Sequence, residues 1–352
     1  MEKIRHAVIG FGGMGGWHVH NIREKIPEIE VYGAYDVRPE ATEAARGEGL
    51  RTYASLDELL ADDAIDLVTI AVPNNFHKDY SIRALRAGKN VICEKPVTLN
   101  ASELEEIVKV RDETGKVFSI HQNRRWDRDY RIVKAAKDQG LLGQVYLVKS
   151  MVQGSRGAMY GWRSYRENGG GMLLDWGIHL IDQAMQMFPE KVVGVDAHLL
   201  SLYTPGVDDN INVRIRFEGG CSYMMEMVTN CLINLPRWHV QGTEGTLQID
   251  DWNCRGRMMK LKPDAEMKWE DDIVYTEAGP TRTMAPRPQY TMNELPLPDV
   301  QSDWAEYYKN IVGVIRGTES LLVTPEQALR VMKVVDLMFK AEAEGASQKC
   351  CI

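Results

Sequence analysis

Apolar and polar positions change rhythm twice along this chain. Short apolar runs at 5–10, 30–36, 65–72, 90–94 and 116–121 read as strands. The run "IDLVTIAV" at 65–72 is apolar almost throughout, as a strand covered on both faces requires. The segments at 14–26, 38–49, 55–62, 77–88 and 100–115 read as helices. Their ends carry matching punctuation. Pro27 stops the first, Pro39 opens the second near its first turn, Ser55 and Glu58 form a capping box, and an Asn or Ser near 100 caps the last. Strands alternating with helices of this length imply βαβ crossovers and a parallel sheet.

The rhythm changes after about residue 122. A helix is predicted over 127–139, and "QVYLVKSMVQG" at 144–154 then alternates as a strand exposed on one face does. Between 191 and 250 further alternating runs ("VVGVDAHLL", "NINVRIRFEGG", "CSYMMEMVTN", "WHVQGTEGTLQID") predict antiparallel strands joined by tight turns. Residues 262–300 are polar and hold several prolines, which predicts a long excursion over the surface, against a neighbouring subunit or the active site. Two helices close the chain at 303–317 and 324–345, the second with Thr324 as cap and Pro325 at its first position. The change of rhythm divides the chain into domains at 1–122 and 123–352, and the final helix is a candidate to pack back on the first.

Composition narrows the classes. At 352 residues the chain is long enough for two domains, and 44% apolar with 26% charged residues is ordinary globular usage. A net charge of −8 argues against a nucleic-acid partner. No run approaches the length of a membrane span, and the strand that begins almost at residue 1 leaves no room for a signal peptide, so the expected location is cytoplasmic. Six scattered cysteines include no CxxC pair and are expected as reduced, mostly buried thiols. No metal site is expected, since no HExxH or cysteine cluster occurs.

The stretch "HAVIGFGGMGGWHVHNI" at 6–22 places Gly10, Gly12 and Gly15 in G-x-G-x-x-G between a predicted strand and a predicted helix. In that setting Gly10 serves the tight turn, Gly12 lets the backbone approach a pyrophosphate, and Gly15 lets the helix pack against the strand. The helix N-terminus then faces the phosphates. Asp36, at the end of the next strand, is placed to accept hydrogen bonds from the adenosine ribose. Its charge would repel a 2′-phosphate, with Arg38 as a partial offset, so the reading is NAD, with NADP less favoured.

A second constellation supplies chemistry. Glu94-Lys95-Pro96 ends the strand at 90–94, where ligands of open α/β sheets bind, and Lys95–Pro96 is a candidate cis bond. In "ENGGGMLLDWGIHLIDQAMQMF" at 167–188, Asp175 and His179 are spaced to share one helix face, Asp182 sits on a neighbouring face, and three glycines allow a close approach just before.

Together with "AVPNNFH" (71–77), "AGKNVICEKPVTLN" (87–100), "QNRRWD" (122–127), "GGGMLLDWGIHLID" (169–182) and "GTEGTLQID" (242–250), these pieces resemble the glucose–fructose oxidoreductase, inositol dehydrogenase and rhizopine-catabolism (Gfo/Idh/MocA) oxidoreductases, in the family's order and over nearly the whole chain. The resemblance implies a Rossmann domain with a doubly wound parallel sheet. It implies a C-terminal α/β domain with a large open, mostly antiparallel sheet that makes a homodimer or homotetramer. It maps the catalytic lysine to Lys95, and the aspartate and histidine to Asp175 and His179. Gly13, Met14, Ala71, Pro73, Asn74, Asn75, His77, Glu94 and Lys95 then belong with the cofactor. The implied substrate is a small-molecule sugar, glycoside or cyclic polyol, with sugars or glycosides favoured over inositols.

In the mechanism that follows, His179, with an unperturbed pKa near 6.5, takes the hydroxyl proton as general base. Lys95 donates to the same oxygen, and Asp175 orients the substrate or the histidine. Arg124, Trp126, Trp162 and Arg163 are candidates for the sugar ring, since aromatic faces suit its apolar side and arginines its hydroxyls. Two alternatives stand beside a dehydrogenase: an enzyme that oxidises a hydroxyl transiently to cleave a glycoside, with no net redox, and a non-catalytic dinucleotide sensor, which would have no need of Lys95 and His179.

Overall fold

A computed structural model describes residues 2–263, 273–281 and 287–352. The first 120 residues form β1 (Ile4–Ile9), α1 (Gly13–Lys25), β2 (Ile29–Tyr35), α2 (Pro39–Gly47), β3 (Arg51–Thr52), α3 (Leu56–Leu60), β4 (Leu67–Ile70), α4 (His77–Arg86), β5 (Asn90–Cys93), α5 (Ala101–Thr114) and β6 (Phe118–Ile120). The six strands are all parallel, in the order β3-β2-β1-β4-β5-β6. The chain winds outward one way from β1 and then the other way from β4, so a crevice opens between their carboxyl ends. All four β4 residues are buried, each apolar one contributing ~2 kcal/mol. Only β3, two residues long, has no counterpart in the sequence pattern, because two residues show no period.

Helix ends follow the local chemistry. The Asn100 side chain accepts from the Glu103 N–H, and α5 stops at Gly115 in the left-handed region. The expected capping box at Ser55 is half formed: Ser55 accepts from the Glu58 N–H, while the Glu58 carboxylate turns back to Ala54 instead.

The remaining residues form α6 (Arg128–Asp138), β7 (Val145–Gln153), α7 (Ile178–Met187), β8 (Val192–Leu200), β9 (Asn210–Phe217), β10 (Ser222–Val228), β11 (Trp238–Gly242), β12 (Gly245–Ile249), β13 (Gly256–Leu261), β14 (Val274–Thr276), β15 (Gly279–Thr281), β16 (Met292–Leu295), α8 (Ala305–Ile315), α9 (Pro325–Glu344) and β17 (Gln348–Lys349). Nine of these strands make one sheet, ordered β16-β13-β12-β11-β7-β10-β9-β8-β17. Every neighbouring pair is antiparallel except β10 with β7. Alternation sets the faces: Tyr223, Met225 and Met227 of β10 are buried, and Met224 and Glu226 are half-buried on the other side.

The polar segment at 262–300 is not wholly a surface excursion. Its described parts include β16, which extends the sheet beside β13, and the β14–β15 hairpin; residues 264–272 and 282–286 lie outside the described residues. The tail also joins the sheet, since Gln348 pairs with Val195 of β8. The cysteines are free as expected, but only Cys93 and Cys221 are buried; Cys231, Cys254 and Cys350 are half-buried and Cys351 exposed.

Helix α9, opened by a full Thr324–Gln327 capping box, lies between β8 and the first sheet's α5. Its Asp336 accepts from the Ala101 N–H, and the Val323 carbonyl just before it accepts from Ser119. These contacts set the crevice of the first sheet against the elements that end in α7.

Candidate active site

Two glycines fix the first wall. Gly10 has φ +95°, and a Cβ there would stand 2.4 Å from the Ala71 carbonyl oxygen. A Cβ on Gly15 would stand 2.0 Å from the Gly10 carbonyl oxygen, so only glycine lets α1 start this close to β1. At Gly12, the cap of α1, a Cβ would meet only Arg38 Nη2 at 3.5 Å, and no side chain satisfies the helix's first N–H groups. Gly12, Gly13 and Met14 face a cleft of ≈ 710 Å³. Open backbone, uncapped donors and space fit the phosphates of a dinucleotide.

Asp36 lies on the same cleft. Its carboxylate accepts from the Phe11 N–H at 2.8 Å and from the Arg38 N–H, Nε and Nη2 at 2.9, 3.1 and 3.1 Å. Burial works to raise the carboxyl, but the Arg38 and Phe11 hydrogen bonds outweigh it and hold Asp36 below its ordinary range. Beyond β4, Ala71, Pro73 and Asn74 line the cleft, and Asn74 donates to the Gly169 carbonyl at 2.9 Å. His77 also faces the cleft, with its two ring nitrogens 2.7 and 2.9 Å from the carbonyls of Pro96 and Val72. Asn75 is exposed and is not part of this wall.

The Lys95–Pro96 bond is cis. The Lys95 ammonium donates to the Asp175 carbonyl at 2.8 Å and to its carboxylate at 2.9 Å, across 80 residues of sequence. Arg163 Nε stands 3.2 Å from the other Asp175 oxygen. Burial would raise the Asp175 carboxyl, but Lys95 and Arg163 together hold it below its ordinary range.

Glu94 lines the cleft, but its carboxylate is turned to a buried cluster. One oxygen accepts from His18 at 2.9 Å and His121 at 2.7 Å, and the other from the Lys95 N–H at 3.1 Å. Tyr308 of α8 closes the cluster on the far ring nitrogen of His18. Burial opposes the Glu94 charge, yet the two imidazoles hold its carboxyl well below the ordinary range. These three are also the one group of metal-type donors found close together among the described residues, and direct hydrogen bonds join them. Glu94 therefore acts on the backbone of Lys95 more than on the cleft.

Asp175 and His179 lie four residues apart across a change of helix type, and both sit near Lys95. Leu173–Gly177 is a π-helical turn, and α7 begins only at Ile178. Each then has its own partner: His179 Nδ1 lies 3.2 Å from Gln122 Oε1, and the ring is buried. With the proton on Nδ1 facing that oxygen, Nε2 keeps its lone pair. Burial, with Lys95 and Arg124 nearby, pushes His179 well below the unperturbed value of about 6.5. Asp182 is not part of the site either; it forms a buried two-point ion pair with Arg125 at 2.6 and 2.7 Å.

A second cavity of ≈ 470 Å³ shares Tyr160, Arg163 and Asp175 with the first. Arg124 lines it, stacked 4.3 Å over Trp176. Trp162 lies on the first cleft beneath Arg163, at 4.5 Å. Trp126 does not belong here: it is buried, and its indole N–H donates to Glu306. The glycines at 169–171 pack against protein rather than ligand, since Cβ atoms there would strike Leu99, the Arg163 carbonyl and Asp208. Arg156, Tyr160 and Trp252 of the second cavity, and His18 and His121 beneath Lys95, were not singled out from the sequence. His18 could have been noticed as a polar residue on the apolar face of α1.

Residues 4–122 match the model of an oxidoreductase family with an NAD-binding Rossmann fold, and residues 130–248 match the Gfo/Idh/MocA C-terminal domain. The crystal structure of an NAD-binding protein from Listeria innocua superimposes with a TM-score of 0.95 at 37% identity, over 99% of this chain and 100% of that one. Two curated relatives come from Bacillus subtilis. A scyllo-inositol 2-dehydrogenase (NADP(+)) is 23% identical over 98% of this chain and 95% of its own length. A scyllo-inositol 2-dehydrogenase (NAD(+)) is 28% identical over 77% and 83%. This chain belongs to the Gfo/Idh/MocA oxidoreductase family.

Proposed function

We propose that this Gfo/Idh/MocA oxidoreductase transfers hydride between NAD and a ring secondary hydroxyl of a sugar, glycoside or sugar derivative. The observation that carries the reading is the Lys95 ammonium, held at 2.8 and 2.9 Å by Asp175 on the wall between the two cavities. When bound, the dinucleotide supplies the hydride acceptor. The chain supplies the rest. Gly12, Gly13 and the uncapped start of α1 receive the phosphates. Lys95 donates a hydrogen bond to the substrate oxygen and steadies its growing negative charge. His179, neutral and with Nε2 free of its Gln122 partner, is the general base. Asp175, held between Lys95 and Arg163, keeps Lys95 in place for the substrate.

NAD is favoured over NADP by the state of Asp36 and Arg38. A 2′-phosphate would have to take Arg38 from Asp36 and leave a carboxylate facing it. The expected assembly is a homodimer or homotetramer through the open face of the nine-stranded sheet, where Met151 and Met224 lie half-buried beside Glu226; sedimentation of the full chain as a monomer would contradict it. No helix among the described residues is long and apolar enough to cross a membrane.

The testing experiment is NADH formation from NAD and a panel of sugars, glycosides and inositols, with aglycone release followed in parallel. Stoichiometric NADH supports a dehydrogenase. Aglycone release without NADH would replace it with transient oxidation.

A further inference from the structure

The second cavity carries more charge than a neutral sugar needs. Four charged side chains line it, Arg124, Arg156, Arg163 and Asp175, in a chain whose net charge is −8. Asp175 is already taken up by Lys95 and Arg163. Arg124 spends one nitrogen on Asp127 at 3.0 Å and leaves its buried Nε without a hydrogen-bond partner. Arg156 has no carboxylate partner among the described residues; it lies 5.0 Å over the Tyr160 ring. Arg163 lies over the same ring at 5.9 Å. Two guanidinium groups thus gather at one ring, with a single carboxylate, Asp175, beside them. Arg163 has Asp175 as its carboxylate partner, so it is the Arg156 charge that a neutral hydroxyl leaves unmatched.

The aromatic rings hold these groups in place. Arg156 stacks on Tyr160, Arg163 on Trp162 and Arg124 on Trp176, which limits the ordering needed on binding. Arg163 also touches Asp175, which holds Lys95. Arg163 and Asp175 line both cavities, so they link Lys95 to the cavity that Arg156 and Arg124 line.

We propose that this cavity is an oxyanion subsite, and that the substrate is a ring bearing a carboxylate or phosphate away from the oxidised carbon, read by Arg156 and Arg163 with Arg124 beside them. The proposal rests on the second cavity being the substrate pocket of the oxidoreductase reading.

The test uses matched triplets (a hexose, its uronic acid and its 6-phosphate) in the gluco, galacto and manno series, with NAD-loaded full-length protein. An anionic member is expected to exceed its neutral partner in kcat/KM by about tenfold or more, the size of one charge-assisted contact pair. Whether the acid or the phosphate leads identifies the oxyanion. R156Q is expected to collapse the anionic-to-neutral ratio toward one, and R156K to retain part of it. Arg156 is exposed, so neither change threatens the fold. Turnover of neutral members as fast as their anionic partners would overturn the subsite and leave the dehydrogenase reading standing. If no triplet is turned over, calorimetric titration decides. Anions that bind tighter than their neutral partners, and lose that advantage in R156Q, support the subsite while the dehydrogenase reading fails. Anions that bind no tighter than neutral sugars overturn the subsite.

Discussion

The Lys95 ammonium donates two hydrogen bonds to Asp175, one to its backbone carbonyl and one to its carboxylate. Lys95 follows β5 of the parallel sheet, and Asp175 lies in the π-turn before α7. Neither element could place the charge alone. The contact joins the first cleft to the second cavity, and most of the expected chemistry depends on it.

Lys95→Ala is expected to lower kcat by about a thousandfold, the loss typical of removing one donor to a developing oxyanion. The variant should fold, with stability lower by ~1–3 kcal/mol because Asp175 keeps Arg163 but loses its other partner. Steady-state kinetics with urea denaturation checks both. Unchanged kcat in a folded variant would contradict the role.

The pH dependence of kcat should lack an inflection near 6.5, because burial keeps His179 neutral well below that value. A plateau that continues through pH 6 supports this. An ionisation near 6.5 that disappears in H179N would contradict it.

Stability should fall as pH drops from 7 to 5. Burial lowers the pKa of His6 to about 3 and also lowers those of His18, His77 and His179. Each binds its proton less readily folded than unfolded, so stability is present above about 6.5 and is lost as pH falls toward the folded pKa. Each such histidine contributes on the order of 1 kcal/mol per pH unit in that window. Chemical denaturation at pH 7, 6 and 5 measures the slope, and a flat profile would contradict the burial argument.

Gly15→Ala should lower stability by ~3 kcal/mol or prevent folding, since its Cβ would stand 2.0 Å from the Gly10 carbonyl. Gly16→Ala, one residue on and with nothing within 4 Å, should gain ~0.5–1 kcal/mol as an ordinary helix position. Thermal denaturation of the pair separates close packing from a general effect of alanine.

Asp36→Ala should raise KM for NAD by about tenfold and improve the use of NADP, because it removes the ribose acceptor and frees Arg38 for a 2′-phosphate. Kinetics with both cofactors checks it. Equal loss with NAD and NADP would mean that Asp36 only supports the loop through the Phe11 N–H.

What was legible in the sequence follows from range. The parallel sheet, its glycine loop and most helix ends are local patterns of period, cap and turn, and they stand where the pattern put them. Three kinds of feature were not local. The single parallel pair β7–β10 and the edge strands β16 and β17 depend on which strands find each other over long separations. The π-turn at Leu173–Gly177 adds width that a four-residue spacing does not reveal. Trp126 and Asp182 have the residue types of a sugar site, yet each is claimed by a partner far along the chain, Glu306 and Arg125. Arg156 carried no local signal at all, because its meaning comes from Arg163 and Arg124 beside the same cavity.

The measurement that bears most directly on the central claim is the absorbance of reduced nicotinamide when protein and NAD meet the panel of neutral and anionic sugars, with Lys95→Ala alongside. A rise with one substrate class, lost in the variant while NAD still binds, is the predicted result. No rise with any substrate, from protein that binds no dinucleotide, would contradict the account.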